Sequence, residues 1–178
     1  THRHYRFMGW IQLDGRWVYV SPQDSITATG KLAEPPSVEL GQRLRDYGLQ
    51  TTEWGESLAA FDAVTKVLPS DLAPALIAFA LLPVIQRFFP ESATKPAVHL
   101  VGTSGSGKSE IASLLSSFYG NFSRDTPPAQ WGDTINMVEM LGYPLADALY
   151  WVDDYKYIYA DTRTFTRFMQ SYSRNLGR

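Results

Sequence analysis

One eight-residue stretch constrains this chain more than any other, because it fits the phosphate-binding pattern G-x-x-x-x-G-K-[ST] at every fixed position. Its members are Gly102, Thr103, Ser104, Gly105, Ser106, Gly107, Lys108 and Ser109. The apolar residues 97–101 before it predict a buried strand, and residues 110–119 after it predict a helix. The sequence therefore predicts a strand, a glycine-rich loop and a helix in succession, which is the context that a phosphate-binding loop (P-loop, Walker A) requires.

This pattern predicts the binding of a nucleotide through its phosphates. Glycines allow backbone N–H groups to surround a phosphate, and the positive end of the helix dipole adds to the attraction. We expect Lys108 to act on the β- and γ-phosphates as a catalytic cation, and the Ser109 hydroxyl to bind Mg²⁺. The predicted nucleotide site covers residues 102–110, Glu110 included, and the predicted ligands are ATP and Mg²⁺. The alternative is a flexible turn rich in Gly and Ser.

A second feature of the sequence also indicates nucleotide chemistry. The apolar residues 148–152 predict a strand, and Asp153 and Asp154 follow it directly. An apolar strand closed by acids is the Walker B arrangement, in which the first acid holds Mg²⁺, commonly through water, and the second polarises the attacking water. We therefore predict that Asp153 is a metal ligand and Asp154 a catalytic acid. The alternative is a strand that simply ends in solvent.

The segment between these two motifs distinguishes classes of P-loop protein. Residues 121–125 predict a short strand, and residues 133–141 predict a helix that Asp133 or Thr134 would cap. An additional strand between the two motifs is typical of helicases and AAA+ motors, whereas kinases and GTPases tend to lack it. The predicted fold class is therefore α/β, with a P-loop NTPase core of the additional-strand, AAA+-like type. Asp154 lies where such ATPases more commonly carry Glu.

The region before the P-loop has a different pattern. Asp14 and Gly15 separate two apolar runs and predict a β-hairpin. Its aromatic residues, interleaved with Arg, either stack on nucleic-acid bases or pack on the helices behind the sheet, and we favour packing. Helical spacing of Leu58, Phe61 and Val64 begins near Ser57.

We therefore expect three regions: a small β-rich region at 1–50, a helical linker at 51–92, and an ATPase core at 93–178. The core stops soon after the Walker B strand, so we expect an excised fragment. Residues 162–176 predict an amphipathic helix within it.

Composition and hydropathy narrow the remaining choices. The chain has 178 residues and a formal net charge of −2, so no overall positive charge indicates nucleic-acid binding. It has no cysteine, which excludes disulfides, thiolate metal sites and a thiol nucleophile. Residues 72–85 predict a buried helix, capped by Ser70 or Asp71 and bent or ended near Pro83. This stretch is shorter than the roughly 20 residues that span a bilayer, so we expect no membrane association and a cytoplasmic location.

With both motifs placed, most of the chain resembles the helicase-like domain of replication proteins carried by plasmids, prophages and chromosomal cassettes. That family is similar to AAA+ ring helicases, including minichromosome-maintenance-like proteins, and superfamily 3 viral helicases share the paired acids. The residues that carry the resemblance are Gly9, Trp10, residues 15–20, residues 99–102 and 104–109, residues 130–134 with Glu139, and the Asp153–Asp154 pair.

The resemblance implies an ATP hydrolase that drives a DNA helicase in mobile-element replication. It also implies a homo-oligomer in the form of a hexameric ring, single-stranded DNA as the track, and a primase or polymerase as partner. The residues themselves leave two other classes of function open. One is a nucleotide-gated switch or assembly ATPase, for example in phage defence, and the other is a P-loop kinase of small molecules.

Overall fold

The computed structural model describes residues 3–90, 95–156 and 162–173, and within these ranges the chain is mixed α/β with small sheets and five helices. The strands are β1 His4–Tyr5, β2 Gly9–Leu13, β3 Arg16–Val20, β4 Ile26–Thr27, β5 Gly30–Lys31, β6 Ser37–Val38, β7 Ala129–Gln130 and β8 Val152–Asp153. The helices are α1 Trp54–Val67, α2 Ala73–Gln86, α3 Lys108–Ser116, α4 Ile135–Gly142 and α5 Thr162–Ser173. Short 3-10 turns occupy Gln42–Leu44 and Ser117–Tyr119.

The largest sheet is antiparallel and lies in the N-terminal region, with strand order β2-β3-β4-β5. The predicted hairpin is confirmed: β2 pairs with β3 from Gly9 opposite Val20 to Leu13 opposite Arg16. Asp14 and Gly15 turn the chain with φ of 49° and 76°. Asp and Gly suit this position because a two-residue turn that matches the strand twist needs positive φ at both residues.

The aromatic side chains of this sheet pack on the helices, as the favoured alternative predicts. The Trp10 ring donates a hydrogen bond from Nε1 to the carbonyl of Val84, in α2, at 2.7 Å. The ring of Phe88, just after α2, meets the edges of Trp10 and Trp17 with centroids 5.4 and 5.2 Å away. The N-terminal sheet is therefore held against α2 through its aromatic face.

The two helices of the middle region differ from expectation in their ends and their burial. α1 begins at Trp54, and none of its residues is buried. In α2, neither Ser70 nor Asp71 caps the helix; Leu72 stands at the N-cap without a side-chain hydrogen bond, so the predicted cap is wrong. The helix does not end at Pro83 but continues through it to Gln86. Only Ala73, Leu76 and Ala80 of α2 are buried, so the helix is less buried than predicted.

The predicted parallel strands are mostly wrong. Residues 97–101 form no strand, and the side chains of Val98 and Val101 are 47% and 83% exposed. Residues 121–125 form no strand either, and of residues 148–152 only Val152 belongs to one, in β8. β8 pairs in parallel with β7, which starts at Ala129.

Parallel strands are stable when both faces of their sheet are covered, and residues 97–101 lack that cover. Among the described residues, therefore, no central parallel sheet forms, and the predicted P-loop NTPase core of the additional-strand type is not evident. The predicted helix at 133–141 is observed as α4, and Thr134 caps it by accepting a hydrogen bond from the Met137 N–H at 3.3 Å. The helix predicted at 162–176 is observed as α5 up to Ser173; residues 174–176 lie outside the described residues.

One hydrophobic core joins residues from all three predicted regions, from Met8 and Tyr47 to Leu76, Leu115 and Leu149. Three buried tyrosines cross-link it through their hydroxyls, and burial raises the pKa of each. The hydroxyls donate to backbone carbonyls in pairs Tyr19 to Asp147, Tyr47 to Leu149 and Tyr119 to Ala80, at 2.8 to 2.9 Å. The N-terminal region thus fixes the segment that leads to Asp153. The region boundaries near 50 and 92 stay predictions.

The described helices include none whose length and apolar character would suffice to cross a bilayer.

Candidate nucleotide-binding site

The glycine-rich loop adopts a conformation that its glycines make accessible. Gly105 and Gly107 have φ of 76° and 80°, a region that side-chain-bearing residues rarely occupy. α3 begins directly after the loop at Lys108, with Gly107 as N-cap and no side chain capping the first turn. The first N–H groups of a helix lack partners within the helix, so this end suits an anion.

The side chain of Lys108 is hydrogen-bonded to the loop that contains it. Its Nζ donates to the carbonyls of Gly102 and Thr103 at 3.0 and 2.7 Å, and to Ser106 Oγ at 3.4 Å. All three acceptors are neutral, so these bonds orient the ammonium without neutralising its charge. The positive charge of Lys108 is therefore held at the loop, beside the start of α3.

Ser109 and Asp153, the two predicted metal ligands, lie side by side. Ser109 Oγ donates to the Asp153 carboxylate, with oxygen–oxygen distances of 3.1 and 3.2 Å. Ser109 is in the first turn of α3 and Asp153 ends β8, although the two residues are far apart in sequence. A hydroxyl and a carboxylate are oxygen donors of the kind that Mg²⁺ takes, with waters and phosphates completing its octahedron. The donor set therefore fits Mg²⁺.

A metal site built from protein ligands alone is not found: the described residues contain no group of three or more His, Asp or Glu side chains arranged to hold a metal.

Asp154, the predicted catalytic acid, does not join Ser109 and Asp153. Its backbone is left-handed, with φ of 57°, and its carboxylate accepts a hydrogen bond from Lys156 Nζ at 2.8 Å. The side chain is exposed, and the residue lines the same cleft as the loop. The structure thus places Asp154 beside the site with its carboxylate bound to a lysine.

Glu110, the last residue of the predicted nucleotide site, is engaged in an ion pair. Its carboxylate lies 2.7 Å from the guanidinium of Arg124, and both side chains are exposed. The hydrogen bond from Arg124 lowers the pKa of Glu110 below its ordinary value. The sequence offered no signal for Arg124, which lies alone in a loop before β7.

The loop opens into a cleft of about 1370 Å³. One wall is formed by the loop and α3, and another by residues 148–156. Among the aromatic side chains that line it, five contact one another, and we call them the ring cluster: His99, Trp131, Tyr155, Phe165 and Phe168. Sequence reasoning missed this cluster, although Tyr155 directly follows the acid pair and Trp131 lies in a segment that carries the family resemblance.

No family model matches the chain, and no match is found among curated proteins or among solved structures.

Proposed function

We propose that this chain binds ATP with Mg²⁺ at the glycine-rich loop and hydrolyses it. The contact between Ser109 and Asp153 carries the proposal. A glycine-rich loop alone is a common turn, whereas a loop whose Ser meets the carboxylate at a strand end matches the Walker A and Walker B pairing.

Each residue has a role that follows from its chemistry. The α3 N-terminus and Lys108 bind the phosphates, and the ammonium exchanges its bonds to the loop for charge-assisted bonds to phosphate oxygens. Ser109 and Asp153 supply oxygen ligands for the metal. Mg²⁺, when bound, offsets the charge that develops on the β- and γ-phosphate oxygens. Asp154 releases Lys156 and orients the attacking water through its carboxylate.

The motor function rests on the family resemblance. We propose that hydrolysis drives a DNA helicase in mobile-element replication, which acts on single-stranded DNA as a hexameric ring together with a primase or polymerase. The observation that favours assembly is the exposure of large apolar side chains on α1, where Trp54 is 79% and Leu58 53% exposed. Exposed apolar patches of this kind mark interaction surfaces.

A second candidate is a nucleotide-gated switch, in which binding matters more than turnover. The ion pair between Asp154 and Lys156 favours it, because a carboxylate held by a lysine is not free to orient water. In this alternative the Ser109–Asp153 pair still binds the metal, and the nucleotide stays intact.

The test is steady-state ATP hydrolysis by the full chain, with and without single-stranded DNA, for wild type, Lys108→Ala and Asp154→Asn. We expect Lys108→Ala to abolish turnover, because it removes the cation that binds the phosphates. We expect Asp154→Asn to retain nucleotide binding and to lose hydrolysis. Lys66→Ala is the matched control, since Lys66 is exposed on α1 and pairs with Asp62 in the same helix.

Two outcomes separate the candidates, and two others overturn an assignment. Turnover that rises with DNA and disappears in Lys108→Ala supports the motor. Binding that depends on Lys108 without any turnover supports the switch. Full turnover in Lys108→Ala would overturn the assignment of the loop, and full turnover in Asp154→Asn would overturn that of the catalytic acid.

A further inference from the structure

We propose that the ring cluster is a nucleobase-stacking site, and that Tyr155 is the platform on which the base lies. The proposal rests on the proposed nucleotide function and extends it to the part of the ligand that the phosphate loop does not bind. The shared chemistry is a flat aromatic base, which belongs either to the nucleotide itself or to a nucleic-acid strand.

The orientation of the rings is the first observation. Tyr155 contacts His99, Trp131 and Phe165 with centroids 5.0, 5.4 and 6.0 Å away and interplanar angles of 73°, 89° and 78°. All three contacts are edge-to-face, so among the described rings none lies parallel to Tyr155. Its side chain is 39% exposed. Aromatic rings also stack in an offset parallel arrangement, and a base is a partner of that shape.

The position of the rings is the second observation. The backbone N–H of Trp131 donates to the backbone carbonyl of Asp153 at 2.9 Å, and Tyr155 lies two residues beyond Asp153. The Asp153 carboxylate in turn meets Ser109 at the phosphate loop. The ring cluster and the phosphate loop therefore line one continuous cleft. A nucleotide can place its phosphates at the loop and its base at the rings. Alternatively, a nucleotide can bind at the loop while a base of a nucleic-acid strand lies at the rings.

The charges near the rings favour a base over a phosphate backbone. Lys156 pairs with Asp154, and Arg167 of α5 lies 3.7 Å from Glu139. Each of these two cations is thus matched by a carboxylate. Stacking tolerates such a neutral setting because every base presents a flat aromatic face, whereas backbone recognition depends on uncompensated positive charge.

The competing explanation is that the rings only attach α5 to the rest of the molecule. Trp131 contacts Phe165 and Phe168 of α5 with centroids 5.7 and 5.5 Å away, which is a packing contact. A purely structural role would affect every ligand of the cleft alike. The test therefore compares ligands with and without a base.

The experiment measures the affinity of the full chain for three probes in the presence of Mg²⁺: ATP, inorganic tripolyphosphate and a single-stranded oligonucleotide. The variants are Tyr155→Leu, Tyr155→Phe and His99→Leu, with Phe89→Leu as an exposed aromatic control outside the cleft. We expect Tyr155→Leu to weaken a base-bearing probe about tenfold, in line with the loss of one stacked base. Tripolyphosphate binding should not change, and Tyr155→Phe should bind like wild type. His99→Leu should weaken the same probe by a smaller factor.

The probes that respond identify the source of the base. A loss confined to ATP assigns the site to the base of the nucleotide, and a loss confined to the oligonucleotide assigns it to the strand. Equal loss for ATP and tripolyphosphate, or no loss for any probe, overturns the proposal. If wild type binds neither ATP nor tripolyphosphate, the proposed function fails, and the oligonucleotide still tests the ring cluster. Circular dichroism of each variant checks that the fold is retained.

Discussion

The N-terminal sheet and the glycine-rich loop region lie on the same core, yet they are built in opposite ways. In the sheet, β2 to β5 follow one another along the chain and each pairs with the next. In the region around the glycine-rich loop, the paired strands are the two-residue β7 and β8, which run parallel. Antiparallel pairing between sequence neighbours is specified by local signals, whereas parallel pairing depends on strands brought from a distance.

Side-chain hydrogen bonds strengthen the contrast. Asp24, buried beside the sheet, binds Lys31 Nζ at 2.6 Å and accepts bonds from the N–H and the hydroxyl of Thr51 at 2.7 Å. This carboxylate ties the sheet to the segment before α1. Before the loop, Val98 and Val101 face solvent. Asp24 thus fixes the sheet to a distant segment, whereas Lys108 bonds to its own loop and Ser109 joins the start of α3 to Asp153.

The largest expected effect comes from the contact that joins the two regions. A Cβ at Gly120, which follows the 3-10 turn after α3, would come within 1.9 Å of the Asp46 carbonyl oxygen. Because that atom is backbone and already accepts a bond from Asn121 N–H, it cannot easily move aside. We expect Gly120→Ala to lower the free energy of unfolding by about 3 kcal/mol or more, as measured by urea denaturation.

Gly41→Ala is the control for this substitution, because nothing lies within 4 Å of a Cβ at Gly41. It should change stability by less than about 0.5 kcal/mol. Equal stability of the two variants would show that the close contact between residues 46 and 120 is not present in solution.

The next largest effect on stability is expected at Asp24, whose carboxylate anchors the sheet, and this effect depends on pH. The hydrogen bond from Lys31, followed by those from Thr51, lowers the pKa of Asp24 from 3.8 to about 2. The folded state therefore favours the charged carboxylate, and the resulting stability is present above pH 4 and lost as the pH falls through 2. We expect Asp24→Asn to cost about 2 kcal/mol at pH 7. Chemical denaturation at a series of pH values measures this cost.

The pH dependence distinguishes the charge from the shape of the side chain. The difference between wild type and Asp24→Asn should shrink as the pH is lowered from 4 to 2. A difference that stays constant over this range would mean that the carboxylate charge contributes nothing to the anchor.

The smallest effect is expected just before the glycine-rich loop, and a matched pair of valine substitutions tests it. Val20 is fully buried in β3, and Val101 is 83% exposed just before the loop. The same truncation should cost about 2 kcal/mol in Val20→Ala and less than about 0.5 kcal/mol in Val101→Ala. Thermal denaturation of both variants gives the comparison. A large loss in Val101→Ala would mean that residues 97–101 are buried as a strand after all.

The sequence predicts elements whose signals are local. The Asp14–Gly15 turn, the Thr134 cap and the helix after the glycine-rich loop depend on residues a few positions apart, and all three are observed. The pairing of Ser109 with Asp153 could also be predicted, because each motif carries its own residue types.

What the sequence could not predict depends on distant partners. Residues 97–101 have the composition of a buried strand, but composition does not state which strands will cover them. The ring cluster draws on residues from His99 to Phe168, and no spacing rule links them. The sequence likewise does not predict the ion pair between Glu110 and Arg124, because nothing in the sequence distinguishes them from other surface charges.

The bonds of Lys108 to its own loop have a consequence for selectivity. Two carbonyls and a hydroxyl already occupy the donors of the ammonium, so they compete with any incoming ligand for it. A neutral ligand would exchange one set of dipoles for another and gain little. A polyanion gains charge-assisted bonds that the loop cannot offer. On the proposed nucleotide function, these internal bonds therefore favour a polyanion over an uncharged ligand of similar size.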